Sequence, residues 1–191
     1  MPNGSMPKGS MPEGDASLLT LANIVTFARL CAVPLAFWLV LEHQIGGAFV
    51  LFVLAGLSDA LDGWLARWRG GSTIGALMDP VADKALLVTM YITLAAVNVL
   101  PAWLAILVVF RDLLIVGGVV ALSVLGYGVA IRPLYVSKLN TVMQILLVAV
   151  CLLHSGFGVG LPVLTDLLVW CVAGTTLASG AAYVWTTARG L

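Results

Sequence analysis

Residues Ser58 to Lys84 read SDALDGWLARWRGGSTIGALMDPVADK. Asp59 and Asp62 are three positions apart, so both project from one face of a helix. Ala66 follows Asp62 by four and shares that face, with Gly63 beside it. The turn Gly70-Gly71-Ser72 interrupts the run, and beyond it Gly75, Asp79 and Asp83 recur every four residues as one stripe on a second helix. The pattern predicts two adjacent antiparallel helices that present four carboxylates to one another near one end of each.

The surroundings make those carboxylates unusual. The chain has 191 residues, of which 61% are hydrophobic and only 9% charged, whereas a soluble domain is roughly 45–50% apolar and about 25% charged. Such a composition belongs in lipid. A membrane span needs about 20 predominantly apolar residues, and six candidates run near 20–41, 45–67, 73–98, 101–125, 138–158 and 162–186. The expected fold is therefore all-α: a polytopic bundle of six transmembrane helices, with an N-terminal interfacial segment, in one domain over 18–191. Residues 1–17, which include the near-repeat MPNGS, MPKGS, MPEGD, are expected to be a disordered tail. The tail carries acids and one lysine, unlike an Arg-rich transit peptide, and on that ground a bacterial cytoplasmic membrane is the expected location.

Charge placement gives the orientation. Lys8 and Arg29 fall before or early in span one, Arg67 and Arg69 between spans two and three, Arg132 and Lys138 between four and five, and Arg189 after span six. The other three loops hold no Lys or Arg, so the positive-inside rule places both termini in the cytoplasm. Anchoring of this kind accounts for Arg69, Arg132 and Arg189. The zero net charge gives no bulk basic field, so nucleic acid is not an expected partner. Cys31, Cys151 and Cys171 are isolated in apolar runs, with no zinc or disulfide spacing, and are expected to pack or to face lipid. His43 and His154 fall at the outer ends of spans, far from the acids, and no catalytic role is expected for them.

An unpaired Asp within a span costs roughly 2.5–3.5 kcal/mol. Four in one pocket are tolerable only when protonated or bound to cations, and hard oxygen ligands select Mg²⁺, Ca²⁺ or Mn²⁺. Two ions bridged by shared carboxylates fit four acids better than one, and that arrangement serves phosphoryl displacement. Gly63, Ala66 and Gly75 keep the shared face free of bulk, and Arg67 can reach a phosphate with its planar fork. Small residues also permit plain helix packing. A divalent-cation transporter lined by acids is the reading from another class. Against it, the four acids cluster near one side, and only Asp112 lies deeper.

Asp59-x2-Asp62-Gly63-x2-Ala66-Arg67 followed by Gly75-x3-Asp79-x3-Asp83 resembles the signature of the CDP-alcohol phosphatidyltransferase family. The seven residues between Arg67 and Gly75 are fewer than in many members, and the difference falls in the turn. The resemblance implies six spans, frequent homodimers, and a cofactor of Mg²⁺ or Mn²⁺, two ions in all. It implies that Asp59, Asp62, Asp79 and Asp83 hold the metal, and that Asp83 is also the general base for the acceptor hydroxyl. It further implies that Asp62, Gly63, Ala66, Arg67 and Gly75 surround the CDP moiety of a CDP-diacylglycerol donor.

The second half bears on the acceptor. Arg111 and Asp112 lie inside span four, where charge is costly. Because sequence neighbours do not face each other on a helix, each is expected to find a partner elsewhere. For Arg111 that is a buried acid or the acceptor's phosphate, and for Asp112 a buried cation such as Lys84. Lys138 is either a snorkelling anchor or a phosphate contact. Asn23, Thr26 and Arg29 form a polar stripe that either lies in the interface or caps the mouth of the site, and Arg29 joins Arg111 and Lys138 as a candidate acceptor contact. Gln144, four residues after Asn140, is expected to face the bundle interior. The run Pro133 to Gln144 is similar to the matching segment of eukaryotic-type cardiolipin synthases, which use CDP-diacylglycerol and phosphatidylglycerol. Enzymes acting on glycerol 3-phosphate more often have Gly-Lys where this chain has Ser137-Lys138, and Arg-Glu where it has Arg111-Asp112. The leading expectation is cardiolipin formation, with phosphatidylglycerophosphate synthesis as the alternative.

Overall fold

In the computed structural model the backbone is described for residues 13–69, 75–124 and 135–190, and side-chain surroundings for 27–58, 84–118, 120–121, 124 and 135–186. Six helices follow one another: α1 (Glu13–Leu41), α2 (Ile45–Arg69), α3 (Gly75–Ala96), α4 (Ala102–Val124), α5 (Tyr135–Phe157) and α6 (Pro162–Gly190). Among the described residues there is no strand. The α1–α2, α3–α4 and α5–α6 connections are tight, and each stops its helix by the same device, a residue in the left-handed region. His43 has φ 56°, Asn98 φ 59° and Gly158 φ 68°. After α1, Gln44 N–H reaches back to Leu39 O at 2.8 Å and His43 N–H to Val40 O at 3.1 Å. After α3, Val99 N–H bonds Leu94 O at 2.9 Å and Asn98 N–H bonds Ala95 O at 3.1 Å. This doubled pattern satisfies carbonyls that a helix end otherwise leaves open. His154 contributes to the third turn, its Nδ1 lying 2.6 Å from Val159 O.

Packing closes the helices into a ring in the order α1, α2, α5, α6, α4, α3 and back to α1, with α3 also touching α5 across it. The expected pairing of the acid-bearing faces of α2 and α3 falls on residues 59–83, whose side-chain surroundings lie outside the described residues. Among the described residues each of these helices packs on α1 and on α5. The local sequence gave helix faces, but the partner of each face is set by the whole bundle.

The ring encloses a core built around Met90, Tyr91, Leu94, Leu104, Leu147, Leu152 and Val172. Its outer faces carry Phe27, Ile106, Phe110, Leu113, Val163 and Trp170, all exposed. Meanwhile Arg29, Arg111, Asp112, Asn140, Gln144, Thr176 and Ser179 are buried. Large apolar groups outside with polar groups inside is the distribution expected when the solvent is hydrocarbon. Among the described residues, Tyr135–Phe157 and Pro162–Thr186 are long and apolar enough to cross a membrane, and Phe27–Leu41, Ile45–Ser58 and Lys84–Ala96 are apolar parts of α1, α2 and α3, helices that continue beyond them.

Two expectations at the N-terminus are revised. Helix α1 begins at Glu13, so residues 13–17 are helical rather than tail, and residues 1–12 lie outside the described residues. There is also no separate interfacial helix among the described residues. α1 is one unbroken element, about 44 Å long at 1.5 Å per residue, and it buries Arg29 within the bundle.

At the end that carries the α1–α2 and α5–α6 turns, α2 and α5 meet backbone to backbone. A Cβ placed on Gly156 would lie 2.7 Å from Gly46 N and 2.9 Å from Gly46 Cα, and Phe49 meets Phe157 edge-on at 5.6 Å. Gly156→Ala should therefore force the helices apart and lower stability by about 1–3 kcal/mol. Gly174→Ala, where a Cβ meets nothing within 4 Å, should be tolerated. Thermal unfolding of both variants in detergent compares them, and equal midpoints would contradict the close approach.

Candidate active site

The eight signature positions lie on two helix ends. Asp59, Asp62, Gly63, Ala66 and Arg67 occupy the C-terminal turns of α2, and Gly75, Asp79 and Asp83 the first turns of α3. The helical backbone preserves the one-face spacing of each acid pair. The side-chain surroundings of these residues lie outside the described set. As a donor set, four carboxylates on two helices that both pack on α1 and α5 suit a hard divalent cation. Among the described residues no group of three or more His, Cys, Asp or Glu is placed to hold a metal ion; the four aspartates lie outside that set.

Directly after Asp83 in sequence begins a partly buried ionic network. Lys84 follows Asp83 directly, and its Nζ is 2.5 Å from Asp112 Oδ2. Asp112 Oδ1 accepts from Arg111 Nη1 at 2.8 Å. Arg111 Nη2 donates to Ser137 Oγ on α5 at 2.7 Å and also to Ser179 Oγ on α6. One carboxylate and one guanidinium thus tie α3, α4, α5 and α6 together. The Lys84 partner expected for Asp112 is present. The expectation that Arg111 and Asp112 would look away from each other is corrected. Their Cβ atoms diverge, but the Arg side chain is long enough to fold back onto the neighbouring carboxylate. Taking Arg111 and Asp112 out of water, to 4% and 7% exposure, is offset by their mutual pairing together with Lys84 and the two serine hydroxyls.

The remaining candidates are distributed around this network. Lys138 is exposed, with its Nζ 6.0 Å from the centre of the equally exposed Tyr135 ring. Arg29 is buried on α1. Gln144 is buried as expected, and Tyr91 donates to its main-chain carbonyl at 3.4 Å. Asn140 Oδ1 lies 2.9 Å from both Thr175 Oγ1 and Thr176 Oγ1 on α6. Ser179, Thr175 and Thr176 were not singled out in the sequence, where they read as small residues in an apolar span. Their signal is the polar spacing Thr175-Thr176-x2-Ser179, which sets hydroxyls on one side of α6. Gly180 belongs with them, because a Cβ there would touch Arg111 Cγ at 3.8 Å.

A family model described as CDP-alcohol phosphatidyltransferase matches residues 19–178. The chain is 37% identical over 189 residues to a chloroplastic CDP-diacylglycerol–glycerol-3-phosphate 3-phosphatidyltransferase of Oryza sativa, covering 89% of this chain and 57% of the rice protein. It is 33% identical over 181 residues to the CMP-forming cardiolipin synthase of Rattus norvegicus, covering 86% of this chain and 60% of the rat protein. It is 28% identical to the CDP-diacylglycerol–glycerol-3-phosphate 3-phosphatidyltransferase of Bacillus subtilis, covering 94% of that protein. The chain therefore spans about three fifths of the length of its rice and rat relatives.

The ionic network yields a stability prediction. Asp112→Ala leaves Arg111 buried without its counter-charge and should cost about 3–5 kcal/mol. Lys84→Met removes a cation whose side chain is 41% exposed, and should cost about 1 kcal/mol or less. Chemical unfolding in detergent measures both. Equal losses would show that Asp112 does not serve Arg111.

Proposed function

The chain belongs to the CDP-alcohol phosphatidyltransferase family, and from that premise we propose that it transfers the phosphatidyl group of CDP-diacylglycerol to a hydroxyl of phosphatidylglycerol, giving cardiolipin and CMP. The observation that supports the reading is that the complete acid signature falls on the last turns of α2 and the first turns of α3, which the chain joins through five residues. In this reading Asp59, Asp62, Asp79 and Asp83 hold two divalent ions, Mg²⁺ or Mn²⁺. When bound, the ions neutralise pyrophosphate charge and ease departure of CMP. Asp83 takes the proton from the acceptor hydroxyl, whose oxygen forms the new bond to the lipid-side phosphorus as the bond to CMP breaks. Asp62, Gly63, Ala66, Arg67 and Gly75 receive the CDP moiety, the small residues leaving room and Arg67 pairing with phosphate. Arg29, Arg111 and Lys138 serve the acceptor. Six spans with both termini in the cytoplasm, and a homodimer, complete the proposal.

Phosphatidylglycerophosphate synthesis from glycerol 3-phosphate is the second reading, favoured by the 37% identity to the rice protein. Cation transport loses its one deep acid, because Asp112 is neutralised by Lys84 and Arg111.

Purified protein with labelled CDP-diacylglycerol, Mg²⁺ or Mn²⁺, and each acceptor in turn separates these readings. CMP release with phosphatidylglycerol is expected, release only with glycerol 3-phosphate would transfer the assignment, and none with any alcohol would sink both. Asp83→Asn should reduce turnover by at least about a hundredfold, the scale of a lost general base, while CDP-lipid still binds. Near-normal turnover would refute the base assignment.

A further inference from the structure

The way Arg111 is held restricts what it can offer a ligand. A guanidinium has five N–H groups in a planar fork, and it grips a phosphate through one of two edges. The side edge uses Nε with Nη2, and the end edge uses Nη1 with Nη2, so Nη2 is common to both. In this bundle Nη2 donates to Ser137 Oγ at 2.7 Å and to Ser179 Oγ, which uses both of its hydrogens. Nη1 is drawn to Asp112 Oδ1. Nε is buried without a hydrogen-bond partner. Neither two-point edge is open, and what remains is single N–H groups at separate places. Ser179 is almost fully buried, Ser137 is half-buried, and the two approach from different helices, α5 and α6. The double hydroxyl clamp is therefore a product of the tertiary fold.

We propose that Ser137 and Ser179 are specificity-determining residues, which withhold the arginine fork from a phosphomonoester and so favour an acceptor whose phosphate is a diester. A monoester phosphate carries close to two negative charges near neutral pH and gains most from a two-point grip. A diester carries one charge and has two free oxygens, so it loses less when only single contacts are offered. The inference rests on the transferase reading above and deepens it: Arg111 supplies charge to the acceptor side while the serines set which phosphate that charge suits.

The test measures kcat/KM for phosphatidylglycerol and for glycerol 3-phosphate, with CDP-diacylglycerol saturating. The proteins are the wild type, Ser137→Ala, Ser179→Ala, the double variant and Ser137→Thr. Freeing Nη2 should move the acceptor ratio toward glycerol 3-phosphate by about tenfold or more, the scale of a regained charged hydrogen bond. The change should appear chiefly in the KM for glycerol 3-phosphate. Ser137→Thr keeps the hydroxyl and should keep the wild-type ratio. Direct calorimetry of glycerol 3-phosphate binding to wild type and Ser137→Ala provides a readout independent of turnover, with tighter binding expected in the variant. An unchanged ratio, or equal losses on both acceptors, overturns the inference and leaves the transferase reading standing. A wild type that prefers glycerol 3-phosphate overturns the inference and the cardiolipin assignment together, but not the family chemistry. A wild type inactive with every acceptor removes the transferase reading itself.

Discussion

The carboxylate of Asp112 is shared by two cations, Lys84 from α3 and Arg111 from its own helix. In a bundle of apolar helices this is the interaction on which the rest depends. Burying any one of these charges alone would be expensive, and the attraction among them is strong because little water screens it. The group still carries one surplus positive charge. The surplus sits beside Asp83 in sequence, at the end of the bundle where the acid signature lies. The same point joins four helices, since Arg111 passes from Asp112 to the hydroxyls on α5 and α6. Packing and charge balance among α3, α4, α5 and α6 thus meet in one set of contacts.

The opposite end has a different character. Three short turns close there with residues in the left-handed region, and Gly46 and Gly156 bring α2 and α5 into backbone contact. These features are local and largely apolar, and they hold the ring shut without using a charged group. The bundle therefore separates its tasks along the helix axes. Close packing and capping secure one end, and the costly polar groups gather toward the other, where a charged headgroup has to be met.

Much of this was legible in the sequence, for physical reasons. An apolar run of span length leaves a helix as the stable backbone state in lipid, so all six helices were found, with ends near Leu41, Phe157 and Pro162. The acid spacing is a property of one helix and could be read from the local chain. The ring order could not, because it depends on which faces choose each other among six; among the described residues α2 and α3 each pack on α1 and α5. The Arg111–Asp112 pair was missed because Cβ direction was used where side-chain length decides. Ser179 was missed because a lone serine in a run of small residues carries the same signal as a packing site. Its role exists only once α4 and α6 are brought together.

The ring order bears on the proposed chemistry. Two helices in contact bring their acids close together, but they leave little space for a nucleotide diphosphate. Among the described residues α2 and α3 each pack on α1 and on α5, so neighbours other than each other can hold them. In the proposed site Gly63, Ala66 and Gly75 would leave room beside the acids for a nucleotide diphosphate. Carboxylates need a fixed spacing to hold cations and a CDP-lipid needs room between them, and helices anchored on shared neighbours can meet both needs.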